Sequence, residues 1–285
     1  MRTEIEFIKM QSCGCDYVLL DAIKKACPPA PCLPDLASSI TSRRFGVGSV
    51  GFAVIDGVLP EGFSIKLFRP DGTEAPSSPL ALRCVSRYAF DSGLVKEDSF
   101  IVQNGTLRQG VEVIDGRNIS ITSGSPYSWD GREVLKENPK RSFSRTLCLK
   151  EKTYTFTPVL LERPYAVFYS SPYDLGFEEF GRVIRGHEEF PEQTGYIRAT
   201  VLSRESMNIR AWEPGGLESL TAEGGANAAV VASVLNGLSD REVLVHLEGG
   251  NLFVEWCEED NLLYTTGPAE YVFTGTYYYE EEEDE

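Results

Sequence analysis

An α/β (α+β) chain of two pseudo-symmetric domains is predicted from three observations. Short strand-like runs dominate the 285 residues. One segment in each half has the marks of a buried helix. The chain also matches itself when shifted by 143 or 144 positions.

The strand-like runs alternate apolar and polar residues, or are rich in β-branched and aromatic ones. Gly, Pro, Asn or Asp bound them. In the first half they are Glu4–Lys9, Tyr17–Asp21, Gly51–Ile55, Ser64–Phe68, Val111–Ile114 and Ile119–Thr122. In the second half they are Val159–Leu161, Ala166–Tyr169, Ile197–Ser203, Asn208–Trp212, Val243–Leu247, Leu252–Trp256 and Leu262–Thr265. The stretch Cys27-Pro28-Pro29-Ala30-Pro31-Cys32-Leu33-Pro34 is expected to be a loop, because four prolines remove donors and fix φ. Pro79 to Ser92 is expected to be a helix. Ser78 suits the N-cap, Pro79 the first helical position, and Gly93 follows the end. Gly224 to Asn236, closed by Gly237, is the second helix. Its small, apolar, nearly uncharged surface implies burial on all sides. The polar, basic stretch Lys136–Arg145 is read as a connection between halves.

At a shift of 144, Phe68-Arg69-Pro70-Asp71-Gly72-Thr73-Glu74 falls on Trp212-Glu213-Pro214-Gly215-Gly216-Leu217-Glu218, and Ser78 falls on Ala222. At a shift of 143, Asn118–Thr122 falls on Asn261–Thr265. Copies of this length are domains rather than solenoid modules. The expected division is residues 1–136, residues 137–277, and an acidic tail at 278–285. A cleft between two such domains is the natural ligand site. Two helix N-termini facing it would gather anions there.

Composition narrows the function. The formal net charge is −16, and the last six residues, all acidic, supply six of those charges. An acidic body repels phosphate backbones and anionic lipid, so neither nucleic acid nor a membrane surface is an expected partner. No apolar run is long enough to span a bilayer. Met1–Glu6 lacks an apolar signal-peptide core, so the expected location is cytoplasmic. Seven cysteines argue against a disulfide framework. With two histidines and no second Cys/His cluster beside Cys13-Gly14-Cys15, no metal is expected. His246 reads as structural, within a strand, and His187 as part of a charged loop. Gly46-Val47-Gly48 and Gly215-Gly216 lack the Lys-Ser/Thr of a phosphate loop.

Several segments resemble the diaminopimelate epimerase family of cofactor-independent amino-acid racemases. They are Phe7–Tyr17, Arg44–Gly48, Phe68–Ala75, Arg83-Cys84-Val85, Glu213–Leu220, Gly249–Leu252, Thr266–Ala269 and Val272–Gly275. The resemblance implies two similar domains, each a curved, mostly antiparallel sheet around a central helix. It implies an isomerase of amino-acid metabolism that uses no metal or pyridoxal phosphate. One cysteine removes the α-proton and a second returns one on the opposite face, each thiol lowered in pKa by a helix N-terminus. Those positions are Ser78 and Ala222 here. Their neighbours have become Pro79-Leu80 and Glu223-Gly224, and the family's Asn-Pro-His aligns with Arg163-Pro164-Tyr165. The family's early asparagine aligns with Cys15, a later one with Arg69, and its carboxylate-gripping arginine with Pro214.

The candidate catalytic residues are therefore Ser78, Glu223 and Cys15. The candidate binding residues are Arg69, Arg163, Arg44, Glu213, Pro79, Leu80, Gly224 and Gly225. Each has a plainer reading. Ser78 can be an N-cap, Glu223 can complement a helix dipole, and Cys15 can be a small buried residue. Arg69 can pair with Glu213 or Glu218, and Arg163 can pair near Glu162. If the arginines instead serve a ligand, they predict a small carboxylated molecule or a phosphate. Two functions follow: a divergent epimerase-like enzyme without the two-thiol mechanism, or a non-catalytic relative that binds a small anion or a protein partner. Assembly as a homodimer stays open.

Overall fold

The computed structural model describes residues 2–134, 143–149, 152–169, 176–213 and 218–280. Most of the expected connection at 136–145, Pro214 to Gly216, and the last five residues lie outside that set. The chain forms two compact units, residues 1–121 with 267–285, and residues 122–266.

The first unit opens with the hairpin β1 (Arg2–Ser12) and β2 (Cys15–Asp21). Its turn is Cys13-Gly14, both at positive φ. After α1 (Leu33–Thr41) come β3 (Gly51–Leu59) and β4 (Gly62–Phe68), then α2 (Pro79–Asp91). β5 (Ser99–Asn104), β6 (Leu107–Val113) and β7 (Asn118–Ser123) follow. β2 pairs parallel with β3, and β4 with β5; β1–β2, β3–β4, β5–β6 and β6–β7 are antiparallel.

The second unit repeats this order. It contains β8 (Arg145–Leu149), β9 (Lys152–Leu160), β10 (Pro164–Phe168), α3 (Phe177–Gly186), β11 (Gly195–Ser203) and β12 (Ser206–Trp212). Then come β13 (Glu218–Ser219), α4 (Glu223–Leu235), β14 (Glu242–Leu247), β15 (Gly250–Trp256) and β16 (Leu263–Pro268). β10–β11 and β12–β14 are parallel, while β9–β10, β11–β12, β14–β15 and β15–β16 are antiparallel. The correspondence extends to single residues. Phe68 bridges Glu74 in the first unit, and Trp212 pairs with Glu218 in the second, 144 positions later. This is the internal repeat at the level of hydrogen bonds.

Each sheet lays one face on a helix. α2 packs on β1, β2, β3 and β6, over a core that includes Met10, Leu19, Phe63 and Ile121. α1 packs on β3 over a second core with Leu36, Ile40 and Phe52. α4 packs on β9, β10, β11, β12 and β15 and is buried from Gly225 through Ser233. α3 covers an aromatic cluster that includes Phe156, Phe168, Phe180 and Tyr196.

Three expectations need correction. The proline-rich segment is not wholly a loop. It closes in a single 3-10 turn, Ala30–Cys32, and α1 begins at Leu33 with Pro34 in its first turn. There a missing N–H costs nothing, because first-turn amides have no helical acceptor. The charged stretch at Arg185-Gly186 ends α3 rather than lying in a loop. The division at 136 and 277 also moves. The last strand, β17 (Glu270–Glu280), runs antiparallel to β1 from Arg2↔Glu280 to Gln11↔Glu270 and so completes the first unit's sheet. Residues 278–280 are thus strand, not tail.

Candidate functional site

The family's reactive positions fall at the starts of α2 and α4, and the strands before those helices shape each start alike. The parallel register sets Tyr17 beside Gly51 in the first unit and Tyr165 beside Gly195 in the second. Glycine is needed at both places. A Cβ on Gly51 would lie 3.1 Å from the Tyr17 ring, and one on Gly195 would lie 2.7 Å from the Tyr165 ring. Each ring therefore lies flat across a glycine, and each hydroxyl reaches the start of a helix.

At α2 the reached group is Ser78. Its Oγ lies 2.8 Å from the Tyr17 hydroxyl and accepts from the Ala81 N–H at 3.3 Å. Ser78 is thus the N-cap, with both its hydrogen bonds made inside the first unit. Burial pushes the Tyr17 hydroxyl well above its ordinary pKa, so it cannot serve Ser78 as a base near neutrality. Pro79 occupies the first helical position, and Leu80 is buried in the hydrophobic core. Ser77 Oγ donates to Gln109 Oε1 at 2.7 Å beside them.

Cys15 is half-buried against the same core. Burial, reinforced by the Asp16 charge and by Cys13, pushes its thiol up to about 11. It is a protonated thiol near neutrality, the opposite of the activated state that proton abstraction needs. Arg69 is exposed and staples its own turn, donating to Thr73 Oγ1 at 3.3 Å and to the Glu74 carbonyl at 2.8 Å. Arg44 is exposed in the loop after α1.

At α4 the arrangement is charged. Ala222 is the N-cap and offers no side-chain acceptor. The Tyr165 hydroxyl donates to Glu162 Oε1 at 2.5 Å. Arg163 Nη1 donates to Glu213 Oε2 at 2.9 Å, and its Nε lies 3.7 Å from Glu162 Oε1. Gly224, in the first turn of α4, is flush against this group. A Cβ there would lie 2.1 Å from the Tyr165 hydroxyl and 2.2 Å from Glu162 Oε1. Burial raises the Glu213 carboxyl above its ordinary pKa, with Arg163 opposing and Glu162 adding to the rise. Glu223 is buried at the first position of α4. Gly225 packs instead, since a Cβ there would meet Ile197 at 2.6 Å and Ala222 at 3.2 Å.

The structure therefore gathers Arg163, Glu213 and Gly224 in the second unit, and Ser78 with Tyr17 in the first. Arg69 and Arg44 are exposed, and Leu80 and Gly225 serve packing. The sequence-based candidates omit Tyr17, Glu162 and Tyr165, although Tyr17 and Tyr165 head the equivalent strands of the repeat. His246 bridges Ser206 at 3.1 Å and Asn251 at 2.9 Å within its sheet, and the His187 ring takes the Glu189 N–H at 3.2 Å. Among the described residues no group of His, Cys, Asp and Glu could hold a metal ion. None of their helices is long and apolar enough to cross a membrane.

Solved structures of other proteins share the fold. The solved structures similar in fold include a phenazine biosynthesis protein of the PhzF family from Enterococcus faecalis, with a TM-score of 0.68 and 13% identity, covering 97% of this chain and 100% of that one. A hydroxyproline epimerase from Agrobacterium vitis, with trans-4-OH-L-proline bound, has a TM-score of 0.63 at 11% identity, covering 98% and 94%. The family model described as diaminopimelate epimerase matches residues 167–272. The diaminopimelate epimerase of Desulforapulum autotrophicum is 35% identical over 95% of this chain and 98% of its own length. That of Pelotomaculum thermopropionicum is 34% identical over 96% and 99%. The chain belongs to the diaminopimelate epimerase family.

Proposed function

We propose that this protein keeps the family's fold for binding a small amino-acid-like or carboxylated molecule and has given up two-thiol proton transfer. The observation that carries this reading is the pair of residues at the helix starts. Ser78 is a hydroxyl engaged as a cap, and Ala222 carries a methyl group. Racemisation needs one group to take the α-proton and a second to return one on the other face, both with pKa values near working pH. A serine hydroxyl bonded to a high-pKa tyrosine does not ionise in that range. Cys15, with its thiol at about 11, does not replace it. The experiment is an epimerase assay on the full chain, following LL and meso diaminopimelate and solvent deuterium entering the α-carbon. Neither interconversion nor exchange above background is expected. Turnover at an enzymatic rate would overturn the reading.

A further inference from the structure

We propose that the protein associates with a second copy of itself by a knob and a socket. The Phe45 loop of one copy seats in a depression over β14 and β15 of the other.

The knob is prominent and rigid. Phe45 is 90% exposed, the most exposed of the described large hydrophobic residues. The loop behind it is tied down by its backbone. The Gly46 N–H donates to the Ser42 carbonyl at 2.9 Å, and the Val47 and Gly48 N–H groups donate to the Ile40 carbonyl at 2.9 and 3.0 Å. Gly46 admits no side chain, because a Cβ there would lie 2.1 Å from the Ser39 carbonyl oxygen. A ring displayed on such a loop has little backbone freedom left to lose on docking. Two cations precede it. Arg43 is paired with Asp16 at 2.8 Å, while Arg44 is exposed and makes no ion pair among the described residues. An aromatic ring beside an arginine is the usual anchor of a protein interface.

The socket has the matching chemistry. Val243, Val245, Leu252 and Val254 are buried on one face of β14 and β15. On the other face Leu244 stands directly opposite Phe253, and both are exposed. The neighbouring rung on that face sets Glu242 opposite Glu255. A depression of about 710 Å³ is lined there by Leu244, Phe253, Glu205, Asp240, Glu242 and Arg241. Arg241 is stacked on the Trp256 ring at 4.3 Å, and Asp240 is paired with Arg204. Glu205 and Glu242 make no ion pair among the described residues, so the rim carries uncompensated negative charge. Like charges directly opposite each other weaken a ladder, and a cation arriving beside Glu242 and Glu255 relieves that repulsion. Burial, with Glu242, Glu259 and Asp260 adding to it, raises the Glu255 carboxyl above its ordinary pKa.

An apolar floor with an acidic rim calls for an apolar group carried next to a cation, and Arg44-Phe45 is that pair. The net charge of −16 opposes association between acidic surfaces, so a basic knob against an acidic socket supplies the local attraction that the rest of the surface lacks. Knob and socket are different surfaces, so a copy that has lost one still offers the other.

The test is sedimentation velocity of the full chain over a concentration series, with the folding of each variant checked by circular dichroism. The unchanged protein should sediment as a species heavier than the monomer as concentration rises. Phe45→Ala should weaken association by about thirtyfold or more, the loss expected of a central aromatic anchor. Leu244→Lys, which places a cation on the floor of the socket, should act in the same direction. Arg44→Glu should weaken association by about tenfold and reverse its response to salt. Mixing Phe45→Ala with Leu244→Lys should restore a heavier species, because each variant supplies the part the other lacks. An unchanged protein that stays monomeric up to about 1 mM overturns the proposal. So does an assembly that survives both single variants, which would be held by another surface, or a mixture of the two folded variants that stays monomeric.

Discussion

The starts of α2 and α4 occupy equivalent places in the repeat and are furnished with different side chains. Each helix leaves first-turn amides in need of an acceptor. In the first unit a neutral hydroxyl, Ser78, is supplied by the residue before the helix and backed by Tyr17. In the second unit the cap position is Ala222, which offers no side-chain acceptor, and Glu162, held by Tyr165, stands against Gly224 of the first turn. The equivalent tyrosines keep their glycine partners while the groups they hold have changed from hydroxyl to carboxylate. The second helical position diverges as well. Leu80 fills the core in one unit, and Gly224 leaves room for Glu162 and Tyr165 in the other. A duplicated scaffold can thus preserve its hydrogen-bond ladder and lose the chemical symmetry of its two helix starts.

The largest expected effect comes from Tyr165→Ala. It removes a buried ring and the donor that holds Glu162, and should cost about 3–5 kcal/mol in urea unfolding. A loss below about 1 kcal/mol would mean that the second start is not built on Tyr165. Next is Gly224→Ala. The new methyl group collides with Tyr165 and Glu162, so a loss of about 1–3 kcal/mol is expected, although alanine is the better helix former. A stabilised variant would show that Glu162 swings away freely. Smaller still is a paired test of the caps. Ser78→Ala should lose about 0.5–2 kcal/mol, and Ala222→Ser should gain up to about 1 kcal/mol if a cap is what α4 lacks. Equal losses from both variants would erase the difference between the two starts.

The smallest effect is in pH dependence, where the units should slope in opposite directions. Burial of Asp16 works against ionisation, but hydrogen bonds from Arg43 and Lys9 prevail and hold its carboxyl below its ordinary value of 3.8. Its contribution is complete above that value and is lost as pH falls through the lower folded value. Glu213 behaves inversely. Burial raises its carboxyl above 4.5 despite Arg163, so the folded chain holds that proton more tightly than the unfolded one. Stability therefore falls as pH rises from 4.5 through the higher folded value, then levels off. Asp16→Asn should flatten the loss at acid pH, and Glu213→Gln should remove the fall above it. Stability curves that keep both slopes in the variants would assign them to other groups.

Much of the fold was legible because local chemistry and tertiary position agree. Ser78, Pro79 and Gly93 mark the ends of α2 in plain sequence, and α2 runs from Pro79 to Asp91. α1 was hidden by its prolines, which are harmless only in a first turn. α3 was open to detection, since Phe177, Phe180 and Ile184 recur at helical spacing and are buried. The acidic end drew attention away from the aromatic alternation of β17. The Glu162 arrangement was less accessible. It depends on Gly224 coming against residues about sixty positions earlier, a closeness that only the parallel pairing of β10 with β11 and the packing of α4 create. The resemblance pointed to arginines as ligand grips. The structure gives Arg69 to its own turn and Arg163 to Glu213.

The position of β17 has a consequence for synthesis on the ribosome. The second unit is continuous in sequence, from 122 to 266, so it has been made before β17 is made. The first unit is begun earlier but lacks its outermost strand until residues 270–280 are released. Translation order and completion order are therefore reversed. The half made first waits, with the β1 edge unpaired by its final partner, until residues 270–280 have left the exit tunnel.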